Sequence, residues 1–378
     1  MPVRYLLVVM TAMALLSAGA EAQTLEVGAG KPFANLSDAV KVATDGDTIL
    51  ISPGEYFDCA IVRPNGITIE GLGAAGSVSL TDRPCQGKAL LVIAGNDVTV
   101  KNITLSRARV PDGNGAGIRA EGTNLIVDGV RFVDNQQGIL AGDRPGSTIT
   151  VRNSEFIRNG VCNPGCSHGI YVNQIALLRV ENSRFLETRQ GHHIKSRAEK
   201  TEVLNCSISD GDKGTASYLI DVPNGGTIVI RGNRMQKGPA AENRSTAISI
   251  GAEGVSRQSS GITIEGNTFR NDGDFDTLFV RNVTATPALL RDNKLSGRTL
   301  PLQGDGSVDG NAPALQPLGL KAAVKEYIKS ALQLADETKY LVLVGVGLSL
   351  IGGFASFLGL LLLVFWPRPL RWMLLRRR

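Results

Sequence analysis

Histidine is scarce in this chain and is concentrated in one place. Of its 378 residues only three are histidines, and all of them, His168, His192 and His193, lie between residues 168 and 193. Lys195 and Arg197 follow in the segment "RQGHHIKSRAEK", residues 189–200. Imidazole can act as a general base near neutral pH, and a neighbouring cation can neutralise an acidic ligand. These residues could bind an anion and remove a proton from it, provided that the fold brings them together.

A degenerate repeat predicts how the chain positions these residues. It reads as an apolar residue, any residue, then Asn, Gly or Asp, two further residues and a second apolar residue. Short runs that alternate apolar and polar residues flank each copy, which is typical of β-strands. Stacked coils would pair every strand with the coil above and below, so the repeat predicts an all-β solenoid, a parallel β-helix of about nine coils. Copies begin at Val100, Val127, Val151, Val180, Val203, Ile230, Ile264 and Leu290, with a weaker one at Ile69. The recurring asparagines are expected to stack as a ladder inside one turn: Asn102, Asn153, Asn182 and Asn205.

The two ends of the chain indicate export and membrane anchoring. Residues 1–22 contain Arg4, an apolar run and a small-residue cleavage site, as a secretory signal peptide does. Residues 340–366 hold no charge and are long enough for a transmembrane helix, and the tail at 367–378 has five arginines and no acid. We therefore expect a single-pass protein of the cell membrane, with its body outside the cytoplasm (periplasmic in a bacterium) and its C-terminus cytoplasmic.

The body between these ends divides into three predicted parts. A β-helix domain covers residues 23–298 and begins with a capping helix in "NLSDAVKVA", residues 35–43. A linker at 299–317 and an amphipathic helix at 318–339 lead to the membrane span. Removing Arg4, Glu21 and the tail arginines leaves 34 basic and 34 acidic residues. The body is thus nearly neutral, and nucleic acid is not an expected partner.

Five cysteines in an exported body predict disulfides, with one thiol left over. Cys162 and Cys166 bracket "NPG" and can close one loop. Cys59 and Cys85 lie one coil apart, and neighbouring coils approach to about 4.8 Å, which is within disulfide range. Bridges 59–85 and 162–166 are therefore predicted. Cys206 is expected to be buried, because it takes the place of an apolar residue in other coils.

The segment "FANLSDAVKVATDGDTILISPGEYFD", residues 33–58, resembles the opening of pectin-lyase-like right-handed parallel β-helix proteins, where a capping helix precedes "GDTI" and "PGxY". The resemblance covers roughly residues 25–298. It implies a right-handed coil and a shallow groove along one parallel sheet, in which polysaccharides lie. It does not imply one reaction, because this fold carries lyases, hydrolases, esterases, epimerases and binding proteins.

The repeat places the histidine segment in the second strand of its coil and predicts one patch over three coils. With Ile194 pointing inward, His193 and Lys195 point outward together, and Tyr171 of the preceding coil lies about 5 Å from Lys195. His192 is interpreted as a turn residue. The candidate catalytic residues are His193, Lys195, Arg197, Tyr171 and Tyr218. The candidate substrate-binding residues are His168, Asp221 and Asn224.

These residue types suit proton abstraction next to a carboxylate, as in lyases and C5-epimerases of uronic-acid polysaccharides. Arg197 or Lys195 would neutralise the sugar carboxylate and acidify the neighbouring C–H bond. His193 or Lys195 would take the proton, and Tyr171 or Tyr218 would return one. The open alternatives are a non-catalytic β-helix that binds or guides an exported polysaccharide, and a purely structural envelope protein. A lyase, an epimerase or a polysaccharide-binding β-helix would each have an anionic polysaccharide as its partner.

Other chemistries fit the sequence less well. Inverting hydrolysis needs two carboxylates, and the chain has no Asp-Asp dipeptide of the kind found in polygalacturonase-like hydrolases. A calcium-dependent lyase would use Asp272, Asp274 and Asp276, but no glutamate completes a calcium loop and polar turns explain the run better. Zinc is disfavoured because His192 and His193 are adjacent on a strand and would point to opposite faces. No metal or other cofactor is predicted.

Overall fold

The computed structural model describes residues 21–163 and 165–309, which form strands and one short helix. The first elements in chain order are β1 (Thr24–Val27), α1 (Leu36–Val42), β2 (Thr48–Ile51), β3 (Gly54–Tyr56), β4 (Ala60–Val62), β5 (Thr68–Gly71), β6 (Val78–Thr81), β7 (Ala89–Ile93), β8 (Thr99–Lys101), β9 (Thr104–Ser106), β10 (Ala116–Ala120), β11 (Leu125–Asp128), β12 (Arg131–Val133) and β13 (Gln137–Ala141). The middle of the chain forms β14 (Arg144–Arg152), β15 (Glu155–Ile157), β16 (Val161–Cys162), β17 (Cys166–Ser167), β18 (Ile170–Val172), β19 (Ile175–Glu181), β20 (Arg184–Leu186), β21 (His192–Ser196), β22 (Lys200–Leu204), β23 (Ser207–Ser209) and β24 (Tyr218–Val222). The last strands are β25 (Thr227–Arg231), β26 (Arg234–Lys237), β27 (Thr246–Ile250), β28 (Ile262–Glu265), β29 (Thr268–Asn271), β30 (Thr277–Asn282), β31 (Ala288–Arg291), β32 (Lys294–Ser296), β33 (Thr299–Gln303) and β34 (Gly306–Val308).

Three parallel sheets wrap around one apolar core. Sheet A has 12 strands in the order β1-β2-β5-β8-β11-β14-β19-β22-β25-β28-β31-β34. Sheet B has 10 strands in the order β3-β6-β9-β12-β15-β20-β23-β26-β29-β32, and sheet C has 10 in the order β4-β7-β10-β13-β18-β21-β24-β27-β30-β33. Each coil contributes one strand to A, then B, then C. The described residues therefore form about ten coils, slightly more than the nine that the repeat predicted.

The residues that begin the repeat copies stack in one interior column of sheet A. Val127 pairs with Val151, Val151 with Val180, and Val180 with Val203. All four side chains are fully buried. Each contributes roughly 1.5 to 3 kcal/mol through removal of apolar surface from water. The predicted β-helix and its register are confirmed.

The four asparagines that were expected to stack inside one turn occupy equivalent positions in the turn from sheet A to sheet B, with side chains that are exposed or half-buried. Asn102, Asn153, Asn182 and Asn205 adopt φ between 48° and 53°, the left-handed region that asparagine tolerates. This conformation turns their side chains outward. A buried ladder forms one position later in the final coils, where Asn233 Nδ2 donates to Asn267 Oδ1 at 3.0 Å and Asn267 Nδ2 donates to Asn293 Oδ1 at 2.8 Å.

The two ends of the solenoid differ in how well the sequence predicted them. Helix α1 buries Leu36, Ala39 and Val40 in the same core as the first coils, as the apolar spacing of residues 35–43 predicts. At the other end, β33 and β34 continue the solenoid to Val308, so the first part of the predicted linker at 299–317 consists of strands.

Several predicted segments lie outside the described residues. These are all but the end of the signal peptide (1–22), the linker beyond residue 309, the amphipathic helix (318–339), the membrane span (340–366) and the tail (367–378). In the part of the chain that the structure describes, no helix is both long and apolar enough to cross a membrane.

The cysteines behave as their positions on the repeat predict. Cys59 and Cys85 form a disulfide, and so do Cys162 and Cys166, which join β16 to β17. Cys206 is a free and buried thiol. Burial raises its pKa to about 11, so it is unreactive at neutral pH.

Candidate functional site

Sheet C presents the candidate residues on three adjacent strands, β18, β21 and β24. Tyr171 pairs with Lys195, and Lys195 pairs with Asp221 across the parallel ladder. Since Ile194 and Ile220 lie in the core, these three side chains form one outward row, as predicted. Both β21 and β24 are buried over their whole length. The row is therefore a largely dehydrated cluster and not an open groove.

The beginning of β21 reverses the predicted roles of the two adjacent histidines. His193 is completely buried and points into the core, whereas His192 packs outward between the rings of His168, at 4.6 Å, and Tyr218, at 4.9 Å. Strict alternation from Ile194 predicted the opposite and was wrong. β21 begins at the corner between sheets B and C, where two successive residues, His193 and Ile194, both face inward.

Neighbouring coils show why an inward side chain fits at this corner. The register that aligns Ile139 with Ile194 places Gly138 at the position of His193, two coils earlier. A Cβ on Gly138 would lie 2.8 Å from Phe156, so aromatic packing fills the interior there. Phe156 stacks on Phe185 at 4.6 Å, and His193 packs edge-on against Phe185 at 6.3 Å. His193 thus continues a column of interior packing.

The interior contacts of His193 satisfy both of its ring nitrogens. Nδ1 lies 2.8 Å from Thr188 Oγ1, and Nε2 lies 2.8 Å from Asp210 Oδ1. Fully buried Lys237 follows Asp210 in the next coil and donates to the carbonyl of Ser217 at 3.0 Å. Burial lowers the pKa of Lys237 to about 8, and Asp210 opposes this change. His193 belongs to this polar network in the core and does not reach the outward cluster.

The outward histidines form a ring stack with a defined hydrogen-bond direction. The backbone N–H of His192 donates to Nδ1 of His168 at 3.0 Å. Burial, with Lys195 and Arg197 nearby, holds the pKa of His168 well below its ordinary value. His168 is therefore neutral with its proton on Nε2, from which it can donate a hydrogen bond.

A carboxylate that sequence reasoning missed lies between the two cations. Glu253 Oε1 is 2.9 Å from Lys195 Nζ, and its other oxygen accepts from Nη2 of Arg197. The Lys195, Arg197 and Glu253 side chains are only 8%, 13% and 15% exposed. We call Lys195 and Arg197 the carboxylate clamp. A dehydrated pair of cations binds a carboxylate more strongly than cations on an exposed surface.

The other contacts of the clamp orient Arg197 and Tyr171. Arg197 Nε donates to the hydroxyl of Tyr171 at 3.1 Å, and Nη1 donates to Asn224 Oδ1 at 2.6 Å. Lys195 Nζ lies over the Tyr171 ring, 5.3 Å from its centre. The structure thus brings Tyr171, Lys195, Arg197, Asn224 and Asp221 together, as predicted, with His168 and Tyr218 at the edge.

Asp221 is the carboxyl group with the most perturbed ionisation in this cluster. Burial raises its pKa to about 7, Glu253 adds to this effect, and Lys195 and Arg197 oppose it. Its Oδ2 lies 3.3 Å from Nδ1 of His192. Burial also opposes the charged form of Lys195, but Asp221 and Glu253 outweigh burial and raise the Lys195 pKa above its ordinary value. At neutral pH Lys195 remains a cation, whereas Asp221 is divided between its two forms.

Glu253 had one sequence signal that could have revealed it. It lies in the loop between β27 and β28, inside the 34-residue step from Ile230 to Ile264, which is longer than every other step of the repeat. An unusually long step predicts an inserted loop, and loops at the ends of solenoid strands often carry functional residues. His192 had no such signal, because the sequence does not show the irregular corner.

Two of the three aspartates considered for calcium form ion pairs with arginines away from this cluster. Asp272 binds Arg270 at 2.7 Å, and Asp276 binds Arg298 at 2.8 Å. Among residues 21–163 and 165–309, no three His, Cys, Asp or Glu side chains converge as a metal site would require.

Comparison with known proteins agrees with the architecture. A family model described as "Right handed beta helix region" matches residues 58–208. The chain therefore has the fold of a right-handed parallel β-helix. No curated protein sequence matches this β-helix significantly.

Two solved structures illustrate the shared fold. The alginate lyase from Paenibacillus sp. str. FPU-7 is 20% identical, with a TM-score of 0.53 over 77% of this chain and 99% of that one. Pectate lyase Pel9A is 14% identical, with a TM-score of 0.50 over 77% of this chain and 82% of that one. At such identities the likeness establishes the fold, and the chemistry has to be argued from this protein's own residues.

Proposed function

We propose that this β-helix acts on a polysaccharide that contains uronic acids, by removing a proton next to the sugar carboxylate. The carboxylate clamp carries the proposal. Lys195 and Arg197 already hold a carboxylate, that of Glu253, in a dehydrated site. The same N–H donors suit the carboxylate of a uronic acid, because charge-assisted hydrogen bonds from arginine or lysine to a carboxylate are short and strong.

The groups around the clamp supply the steps of β-elimination or C5-epimerisation. Neutralising the sugar carboxylate makes the C5–H bond acidic. His192, 3.3 Å from Asp221, would take the C5 proton. In elimination the C4–O bond breaks while a C4–C5 double bond forms, and Tyr171 protonates the leaving oxygen. In epimerisation C5 instead regains a proton on its opposite face.

Two of the predicted roles change as a result. Lys195 stays charged because Asp221 and Glu253 raise its pKa against the effect of burial, so it belongs to the clamp and does not act as the base. His192 replaces His193 as the proposed base, because His193 lies in the core. Tyr218 packs against the ring of His192 and would orient it.

We also propose that the protein works outside the cytoplasm as a membrane-anchored enzyme. Its two disulfides support this location, because such bonds persist in oxidising compartments. The predicted signal peptide (1–22) and membrane span (340–366) support the same topology. Digestion of the body by a protease added to spheroplasts would test it, and complete protection of the body there would contradict it.

The proposed activity is tested by incubating the full-length protein in D2O with alginate or pectate, the polymers named for the two lyases above. Elimination would appear as the ultraviolet absorbance of an unsaturated uronate, and epimerisation as deuterium at C5 in NMR spectra. We expect Lys195→Ala, Arg197→Lys and His192→Ala each to lower turnover by about 100-fold. Arg231→Ala is the control, because Arg231 is exposed and pairs with Glu265 on sheet A.

Binding without catalysis is the second candidate function. The stacked rings of His168, His192 and Tyr218 beside two cations favour it, because aromatic and cationic side chains suffice to bind a sugar chain. Saturable binding to an acidic polymer without elimination or deuterium exchange would establish this alternative. The absence of binding to any uronic-acid polymer would refute both candidates.

A further inference from the structure

The loop that supplies Glu253 is attached to the site mainly through its backbone. We call residues 251–261, between β27 and β28, the strap. Glu253 N donates to the carbonyl of Pro223 at 3.0 Å, and Arg257 N donates to the carbonyl of Asn224 at 3.1 Å. The tip, residues 254–256, is exposed. The strap therefore lies along the residues that follow β24 and inserts one carboxylate into the cluster.

That carboxylate occupies the donors that an acidic ligand would need. Glu253 bridges Lys195 Nζ and Arg197 Nη2, and the amide of Asn224 links Arg197 to the carbonyl of Gly254. A second carboxylate brought to the same two cations would repel Glu253 at short range in a poorly hydrated site. Occupation by Glu253 and occupation by a ligand carboxylate are therefore mutually exclusive.

The strap contains backbone positions at which it could move. Gly251, at its beginning, has φ of 79°, and Gly254 has φ of 93° with no atom within 4 Å of an added Cβ. Hinges commonly consist of a few loop residues at the ends of elements that absorb changes in φ and ψ. Two strap side chains contact the clamp residues: Glu253, and Arg257, whose Nε donates to the carbonyl of Arg197 at 3.1 Å. Loss of the two ion pairs of Glu253 would remove the charged part of this attachment.

We propose that Glu253 is a built-in competitor for the clamp, and that it must leave, with loosening of the strap, before an acidic sugar binds. The inference rests on the proposed function and adds a regulatory element to the same site. The apparent dissociation constant is then the intrinsic constant divided by the fraction of molecules in which Glu253 has left the clamp. Removing the charge of Glu253 should tighten ligand binding instead of weakening it.

The test compares Glu253→Gln with a matched control in the full-length protein. Glu202 also lies between an arginine and a lysine, 2.6 Å from Arg179 Nε and 2.6 Å from Lys200 Nζ, but on sheet A. We expect Glu253→Gln to bind a short oligouronate about tenfold more tightly by calorimetry, and Glu202→Gln to bind it as the wild type does. A carboxyl-reduced oligosaccharide should show no such gain.

A second readout needs no ligand. Arg257 is the one basic residue of the strap, so the rate of tryptic cleavage after Arg257 reports loosening. We expect Glu253→Gln, and not Glu202→Gln, to accelerate this cleavage. Glu253→Asp keeps a negative charge beside the clamp, but its side chain is shorter. We expect it to raise oligouronate affinity and the rate of cleavage after Arg257 by less than Glu253→Gln does. This variant still tests the inference if Glu253→Gln folds poorly.

The outcomes separate this inference from the proposed function. Unchanged or weaker oligouronate binding by both Glu253 variants, while the wild type binds, would overturn the inference. Unchanged cleavage after Arg257 would overturn it as well. If no variant binds an oligouronate but cleavage accelerates, the proposed function fails, whereas the hold of Glu253 on the strap is supported.

Discussion

Asp221 gives the sharpest test of the electrostatics of the site. The residue is 2% exposed, and burial raises the pKa of its carboxyl group from 3.8 to about 7. At 1.36 kcal/mol for each tenfold change in the ionisation constant, this difference corresponds to about 4 kcal/mol. We predict that Asp221→Asn, which cannot ionise, removes this contribution to the pH dependence of stability.

The raised pKa of Asp221 makes the folded protein less stable as the pH rises. Between pH 4 and pH 7 the unfolded chain has lost the Asp221 proton and the folded chain keeps it, so the free energy of unfolding falls as the pH rises. Above pH 7 the folded protein carries the full cost. The stability difference between Asp221→Asn and the wild type should therefore grow from near zero at pH 4 to about 4 kcal/mol at pH 8.

The measurement compares Asp221→Asn with the wild type because His168 changes the stability of both proteins with pH in the opposite direction to Asp221. Burial holds the pKa of His168 well below 6.5, so stability from His168 rises with pH up to that value. This contribution is common to both proteins and cancels. Asp276→Asn is the control: its exposed carboxyl pairs with Arg298, which lowers the Asp276 pKa, so its effect is confined to lower pH.

Urea unfolding followed by circular dichroism at pH 4, 5, 6, 7 and 8 would provide the measurement. A difference that stays constant over this range, or that shrinks as the pH rises, would refute the reasoning about Asp221. So would an NMR titration that gives Asp221 an ordinary carboxyl pKa in the folded protein.

Two further predictions concern the fold. His193→Ala should lower the free energy of unfolding by roughly 3 to 5 kcal/mol, because it leaves a cavity and deprives buried Asp210 of its partner. Urea unfolding would measure this loss, and a loss below about 1 kcal/mol would contradict the interior role of His193. Replacing both cysteines of the 59–85 bridge by serine should lower the free energy of unfolding by roughly 3.5 kcal/mol, and the same change at the 162–166 bridge by roughly 2 kcal/mol. The first bridge contributes more because it closes a longer loop, with a sequence separation of 26 instead of 4. Equal costs in the same assay would show that chain entropy does not dominate.

The architecture and its register could be predicted from the repeat in the amino-acid sequence. A repeat that recurs every 23 to 34 residues brings equivalent residues into one column, so Val127 and Val151 had to stack once the strands were recognised. The same spacing placed Cys59 beside Cys85 and Tyr171 beside Lys195. These contacts follow from nearest-neighbour stacking, which is the kind of contact that a linear pattern encodes.

Which histidine faces the site, and which carboxylate the clamp holds, could not be predicted before the chain was folded. The direction of His193 depends on an irregular corner and on the space left by Phe185, and strand alternation carries no information about either. Glu253 reaches Lys195 across 58 residues because a loop folds back over earlier coils. A repeat specifies what lies above and below each strand. It does not specify where an inserted loop returns, since that depends on contacts made after the coils have stacked.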